Sequence, residues 1–178
     1  MRAFESFTRW LANGLALIAA AALLLMMLQT AADVFMNNAM GRPIEGNLEI
    51  ISVYHMVLVV FLPLAMVELR HEHINADLLV RTFAPALQRA VYVFGALVSM
   101  AFFGALAWQT WQDAVAAWRI DEVMMGSIYV PIWPAKFALP LGFAAITLAT
   151  LLHMLQALRD PDFSPTPADP SIDGPPPA

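Results

Sequence analysis

"LANGLALIAAAALLLMMLQTAADVF", residues 11 to 35, decides the architecture. From Leu15 to Leu28 it is wholly apolar, and a helix needs about 20 residues at about 1.5 Å each to cross a hydrocarbon core of about 30 Å. A cleaved signal would show a shorter apolar region ending at a small-residue cleavage site, so this block reads as a retained span. Three further blocks of sufficient length follow, at Leu48 to Leu69, Ala90 to Trp111 and Pro131 to Leu155. Of the 178 residues, 60% are hydrophobic and 13% charged, with a mean hydropathy of +0.66, well above the soluble range. The expectation is an all-α membrane protein in which residues 1–158 form a domain of four transmembrane helices.

Lysines and arginines near the span ends set orientation, because positive flanks resist translocation. Arg2, Arg9, Arg70, Arg81, Arg89 and Arg159 fall on one side, against Arg42, Arg119 and Lys136 on the other. This predicts cytoplasmic N- and C-termini, outer loops at Asp33–Asn47 and Asp113–Val130, and a cytoplasmic loop at Arg70–Arg89. Residues 159–178 carry seven of the thirteen prolines and almost nothing apolar, which predicts a disordered cytoplasmic tail. Its aspartates account for much of the net charge of -5. No basic and aromatic interleaving suggests a nucleic-acid partner. The absence of cysteine excludes disulfides, thiolate metal ligands and iron-sulfur clusters.

The chain is amphipathic before the first span and after the second. In "MRAFESFTRW", Phe4, Phe7, Trp10 and Leu11 share a helical face, and in "NADLLVRTFAPALQRA" Leu79, Phe83 and Leu87 form a row flanked by Arg81 and Arg89. Interfacial amphipathic helices are therefore expected at the N-terminus and between spans 2 and 3, with the lipid bilayer as partner. Pro63 and Pro140 are candidates to kink spans 2 and 4, and the small-residue rows Ala12, Ala16, Ala20 and Gly95, Ser99 are candidates for helix packing.

Ionisable residues inside the spans are few. Asp33, Glu49, Glu68 and Lys136 sit near span ends, where headgroups or water are within reach. His55 lies deeper, which suits either a haem or proton-relay residue or a neutral histidine bonded to a neighbouring helix. Its only embedded companion, His153, differs in depth by about 22 Å, too far for two axial ligands of one haem. "VELRHEHINADLLV", Val67 to Val80, contains metal-binding residue types, but His71 and His73 lie about 200° apart on a helix and cannot face one ion. His73 and Asp77 alone make a poor site. No cofactor, metal site, substrate site or catalytic residue is assigned.

Three stretches resemble the small membrane subunit of tripartite ATP-independent periplasmic (TRAP) transporters. The first is "DVFMNNAMGRPIEGNLEI", with Asp33, Val34, Gly41, Arg42, Pro43 and Glu49 matching. The second is "LPLAMVELRHEHINADLLV", with His73, Ile74, Asp77 and Leu78. The third is "GSIYVPIWPAKFALPLGF", with Ile128, Pro131, Trp133, Pro140 and Gly142 in order. One departure is Asn37, where the family commonly carries arginine.

The resemblance implies a non-enzymatic scaffold subunit of a secondary transporter in the bacterial inner membrane. Its partners would be a large membrane subunit, holding the substrate and ion sites, and a periplasmic substrate-binding protein. Such a system takes up a small organic acid on an ion gradient, usually sodium. Candidate interface or structural residues are Asp33, Arg42, Pro43, Glu45, Glu49, His73, Asp77, Pro131 and Trp133. Two other classes stay open: a stand-alone homo-oligomeric transporter or channel, and a membrane enzyme with a metal at the inner face.

Overall fold

The structure, a computed structural model, describes residues 2–70 and 85–159. The proline-rich tail, His73, Asp77 and most of the segment expected to lie between spans 2 and 3 fall outside the described residues. Four helices are long and apolar enough to cross a membrane, and the chain is an all-α membrane protein.

Helix α1 (Arg2–Met40) runs unbroken for 39 residues, about 58 Å. The amphipathic N-terminal segment is its first turns, continuous with the span. Arg9 pairs with Glu5 at 2.9 Å one turn away, and the buried Thr8 hydroxyl donates to the Phe4 carbonyl at 2.9 Å. The helix stops at Gly41, whose φ of 65° is left-handed and costs glycine nothing. Its N–H still donates to the Asn37 carbonyl at 2.9 Å, and Pro43 prevents continuation.

Span 2 is segmented. It comprises α2 (Asn47–Ile50), a π-helical turn (Ile51–His55), α3 (Met56–Phe61) and α4 (Leu64–Leu69). Pro63 interrupts it as expected, because its ring nitrogen has no hydrogen for the Val59 carbonyl. The ladder resumes with Met66 N–H donating to the Pro63 carbonyl at 2.9 Å.

Span 3, α5 (Pro85–Arg119), continues two turns into the region expected to be an outer loop. Its end is a Schellman turn: Glu122 N–H donates to the Ala117 carbonyl at 3.0 Å and Asp121 N–H to the Trp118 carbonyl at 3.3 Å. Asp121 takes the left-handed position at φ 51°, which Asp tolerates better than most residues. The expected loop then forms a small antiparallel hairpin, β1 (Val123–Met125) with β2 (Tyr129–Pro131), in the register Met124↔Val130.

Span 4 consists of α6 (Trp133–Lys136) and α7 (Ala138–Arg159), with the break at Phe137. Pro140 accounts for that break, since it cannot donate to the Lys136 carbonyl four residues back. It therefore sits in the first turn of α7 and does not kink the body of the helix.

The core is a seam along α7. In its most apolar window 56% of residues are buried, against 6% for span 3. Ala145 and Ala149 of α7 pack with Ala12 of α1 and Ala65 of α4. At Gly142 a Cβ would overlap the Phe61 carbonyl oxygen, so glycine is what lets spans 2 and 4 touch by backbone. The Thr150 hydroxyl lies 3.0 Å from the Ile146 carbonyl and 3.2 Å from a Glu68 carboxylate oxygen, a second link between those spans.

The small-residue rows come out differently from expectation. The buried stripe of α1 is Thr8, Ala12, Ala19 and Ala22, while Ala16 is half-buried and Ala20 exposed. Steps of four overshoot a turn by about 40° each, whereas a seven-residue repeat keeps one face inward. Gly95 is exposed and has nothing within 4 Å of the position its Cβ would take.

Candidate functional site at the hairpin end

Two of the three motif stretches meet at one end of the bundle. Residues 33–50 turn from α1 into span 2, and residues 126–143 lead from the hairpin into span 4. Asp33, near the end of α1, accepts the Ile44 backbone N–H on Oδ1 at 2.6 Å and so folds the connecting loop back along its own helix. Gly46 then takes φ 78° and caps α2. A Cβ there would overlap the Ile128 side chain, so the turn and the hairpin can nest only around a glycine.

Glu49 makes the reciprocal contact. Its Oε1 accepts the Ser127 backbone N–H at 2.6 Å, and Gly126 leaves the space that its carboxylate occupies. The Tyr54 hydroxyl donates to the Pro131 carbonyl at 2.6 Å. Beneath these polar links, Val53, Val130 and Ala135 are buried together, with Ile50, Ile128 and Ile132 packed against them. The Lys136 ammonium pairs with Glu122, and Ile132 N–H donates to the Glu122 carbonyl at 2.9 Å, so the hairpin is tied at its base to span 4.

The predicted residues thus divide by task. Asp33, Glu49 and Pro131 hold the platform together. Trp133 is half-buried at the start of α6, followed by Pro134, which fits a helix's first turn because no donor is needed there. Arg42, Pro43 and Glu45 are exposed, and Arg42 and Glu45 enter no ion pair among the described residues. They form the outward face of the loop. The Asn37 side chain is also exposed. His73 and Asp77 belong to the part of the second stretch outside the described residues.

Several contributors were absent from the sequence reading: Gly46, Gly126, Ser127, Tyr54 and Glu122. In "VMMGSIYV" only Gly-Ser, a turn signal, hinted at the hairpin, since the runs beside it are too short to read as strands. His55 lies in the π-helical turn, and its Nδ1 is buried with no hydrogen-bond partner among the described residues. His153 is buried in α7. Among the described residues no three histidine, aspartate or glutamate side chains converge as a metal site would require.

Two carboxylate-to-amide bonds hold this surface, and the Arg42 and Glu45 charges point outward from it. The family model for tripartite ATP-independent periplasmic transporters, DctQ component, matches residues 26–160. The chain belongs to the DctQ family. No curated protein and no solved structure matches it. As a DctQ component, the chain is a multi-pass membrane part of a tripartite transport system, and the matched region contains every element of the hairpin-end platform.

Proposed function

We propose that this DctQ chain is the static, non-catalytic scaffold of a TRAP-type secondary transporter. It works with a large membrane subunit, which carries the substrate and ion sites, and with a periplasmic binding protein. The system takes up a small organic acid on an ion gradient, of which sodium is the usual form. The chain sits in the inner membrane with both termini cytoplasmic, so the hairpin-end platform faces the periplasm.

One observation carries this reading. Past Ala22, the remainder of α1 has no buried residue, and Leu24, Leu28, Val34 and Phe35 leave apolar surface open around the helix. Helices with this little internal packing suit a wall laid against a larger neighbour, whereas a self-contained carrier would enclose polar groups near its midplane.

Co-purification tests it. A tagged chain should bring down the large membrane subunit in equal amount, and proteoliposomes should take up substrate only when the large subunit and binding protein are also present. Ordered self-association with transport by this chain alone would establish the homo-oligomeric alternative instead.

A further inference from the structure

The seam between α5 and α7 opens on one side into an apolar groove of about 450 Å³. Its floor is small, made by Gly104, Ala107 and Ala144, and its rims are Trp108 and Trp111 on α5 and Leu141 on α7. Trp111 is steadied by an edge-on contact with Phe137, ring centroids 5.7 Å apart. Toward the hairpin end, the face of α5 that carries Gly104 and Trp108 continues through Val115 and Trp118, with Arg119 at its edge, the five together spanning about 100° on the helical wheel. Trp108, Trp111 and Trp118 are 68%, 50% and 58% exposed. Arg119 is exposed and in no ion pair among the described residues. Of the acids at this end, Asp113 and Glu122 line a separate cleft with Lys136 on the other side of the seam, and Asp121, two residues after Arg119, is exposed and in no ion pair with it.

We infer that this groove holds one anionic glycerophospholipid of the leaflet at the hairpin end, its acyl chain on the Gly104–Ala107–Ala144 floor and its phosphate at Arg119. Charge and length both fit. Gly104 to Arg119 spans about 22 Å, close to half of a bilayer about 40 to 45 Å thick with its headgroups. Indole rings favour the zone where acyl chain gives way to headgroup, which is where the three tryptophans lie. A guanidinium that no carboxylate pairs among the described residues draws a phosphate at that depth, and a net negative headgroup more than a zwitterionic one.

The full chain, purified in detergent and exchanged against equimolar phosphatidylglycerol and phosphatidylcholine, is examined by native mass spectrometry. One phosphatidylglycerol should be retained over phosphatidylcholine by about fivefold. Arg119→Gln, an exposed change that the fold tolerates, should abolish the preference, and Ala144→Trp, which fills the floor, should reduce retention of both lipids. Equal retention of the two lipids by the unaltered chain, or retention unchanged in both variants, would leave only a fluid annulus and overturn the inference. So would efficient disulfide cross-linking of Ala107→Cys to a partner helix in the assembled transporter, because the groove would then be a protein contact.

Discussion

Glu49 and Ser127 are 78 residues apart in sequence, yet the Glu49 carboxylate accepts the Ser127 backbone N–H at 2.6 Å. This bond closes the hairpin turn onto the start of span 2. A backbone donor in a turn has no strand partner, and a charged acceptor supplies a stronger bond than a neutral one. Glu49→Ala should therefore release the turn without unfolding the helices. Amide hydrogen exchange at Ser127 should accelerate by about tenfold or more, with Glu49→Gln intermediate. Protection at Ser127 unchanged in the alanine variant would show that the turn is held by other contacts.

Gly46 and Ile128 make a second, steric link between the same two segments. Alanine at position 46 would meet two obstacles: the left-handed φ of 78°, costing about 1 to 2 kcal/mol, and overlap with the Ile128 side chain. These separate in a double-mutant cycle. Adding Ile128→Ala to Gly46→Ala removes the overlap but not the backbone strain, so the pair should destabilise by less than the sum of the single changes. Strict additivity in thermal unfolding would mean that only the backbone conformation demands glycine.

Much of this architecture was legible in the sequence, and the pattern of what was not has physical causes. The four spans follow from hydropathy because lipid leaves a crossing chain few options but helix. Helix ends were harder. Asp33, Asn37 and Asn38 look like a loop, but a helix can carry them once its end is in water, and the true stop, Gly41 with Pro43, lay a turn and a half past the predicted boundary. The hairpin escaped notice because its strands are three residues each, too short for alternation to stand out. At the candidate site, Asp33, Glu49 and Pro131 were identified by resemblance, but not their partners. Those partners are the Ile44 and Ser127 backbone amides and the Tyr54 hydroxyl. A backbone donor leaves no mark in a sequence.

Glycines in the spans differ sharply in what they do, and Gly142 and Gly95 offer a matched pair. Gly142 faces the Phe61 carbonyl, a backbone atom that cannot turn aside, whereas Gly95 has nothing within 4 Å of its Cβ position. Gly142→Ala should force spans 2 and 4 apart and cost about 2 kcal/mol or more, by the same physics as overpacking a core. Gly95→Ala should be neutral or stabilise by up to about 1 kcal/mol through helix propensity. Thermal unfolding of the detergent-solubilised chain measures both. Equal melting temperatures for the two variants would show that the close approach at Gly142 does not hold the seam together.

Arg42 tests the proposed scaffold role at its outward face. It is exposed and unpaired among the described residues, on a loop whose position is fixed beneath it by Asp33 and Gly46. Charge reversal should therefore leave stability within about 0.5 kcal/mol of the unaltered chain, as surface substitutions usually do. If this face meets the large subunit or the docking binding protein, Arg42→Glu replaces an attractive charge with a repulsive one and should lower uptake by about fivefold or more. The binding protein's own affinity for substrate, measured in isolation, should not change. Measuring uptake at rising ionic strength adds a second readout, since a contact made by an exposed charge weakens as salt screens it, while the reversed variant should lose its dependence or invert it. Uptake by Arg42→Glu equal to that of the unaltered chain at low salt would remove this loop from the docking surface and leave Asp33 and Glu49 with a purely internal, structural task.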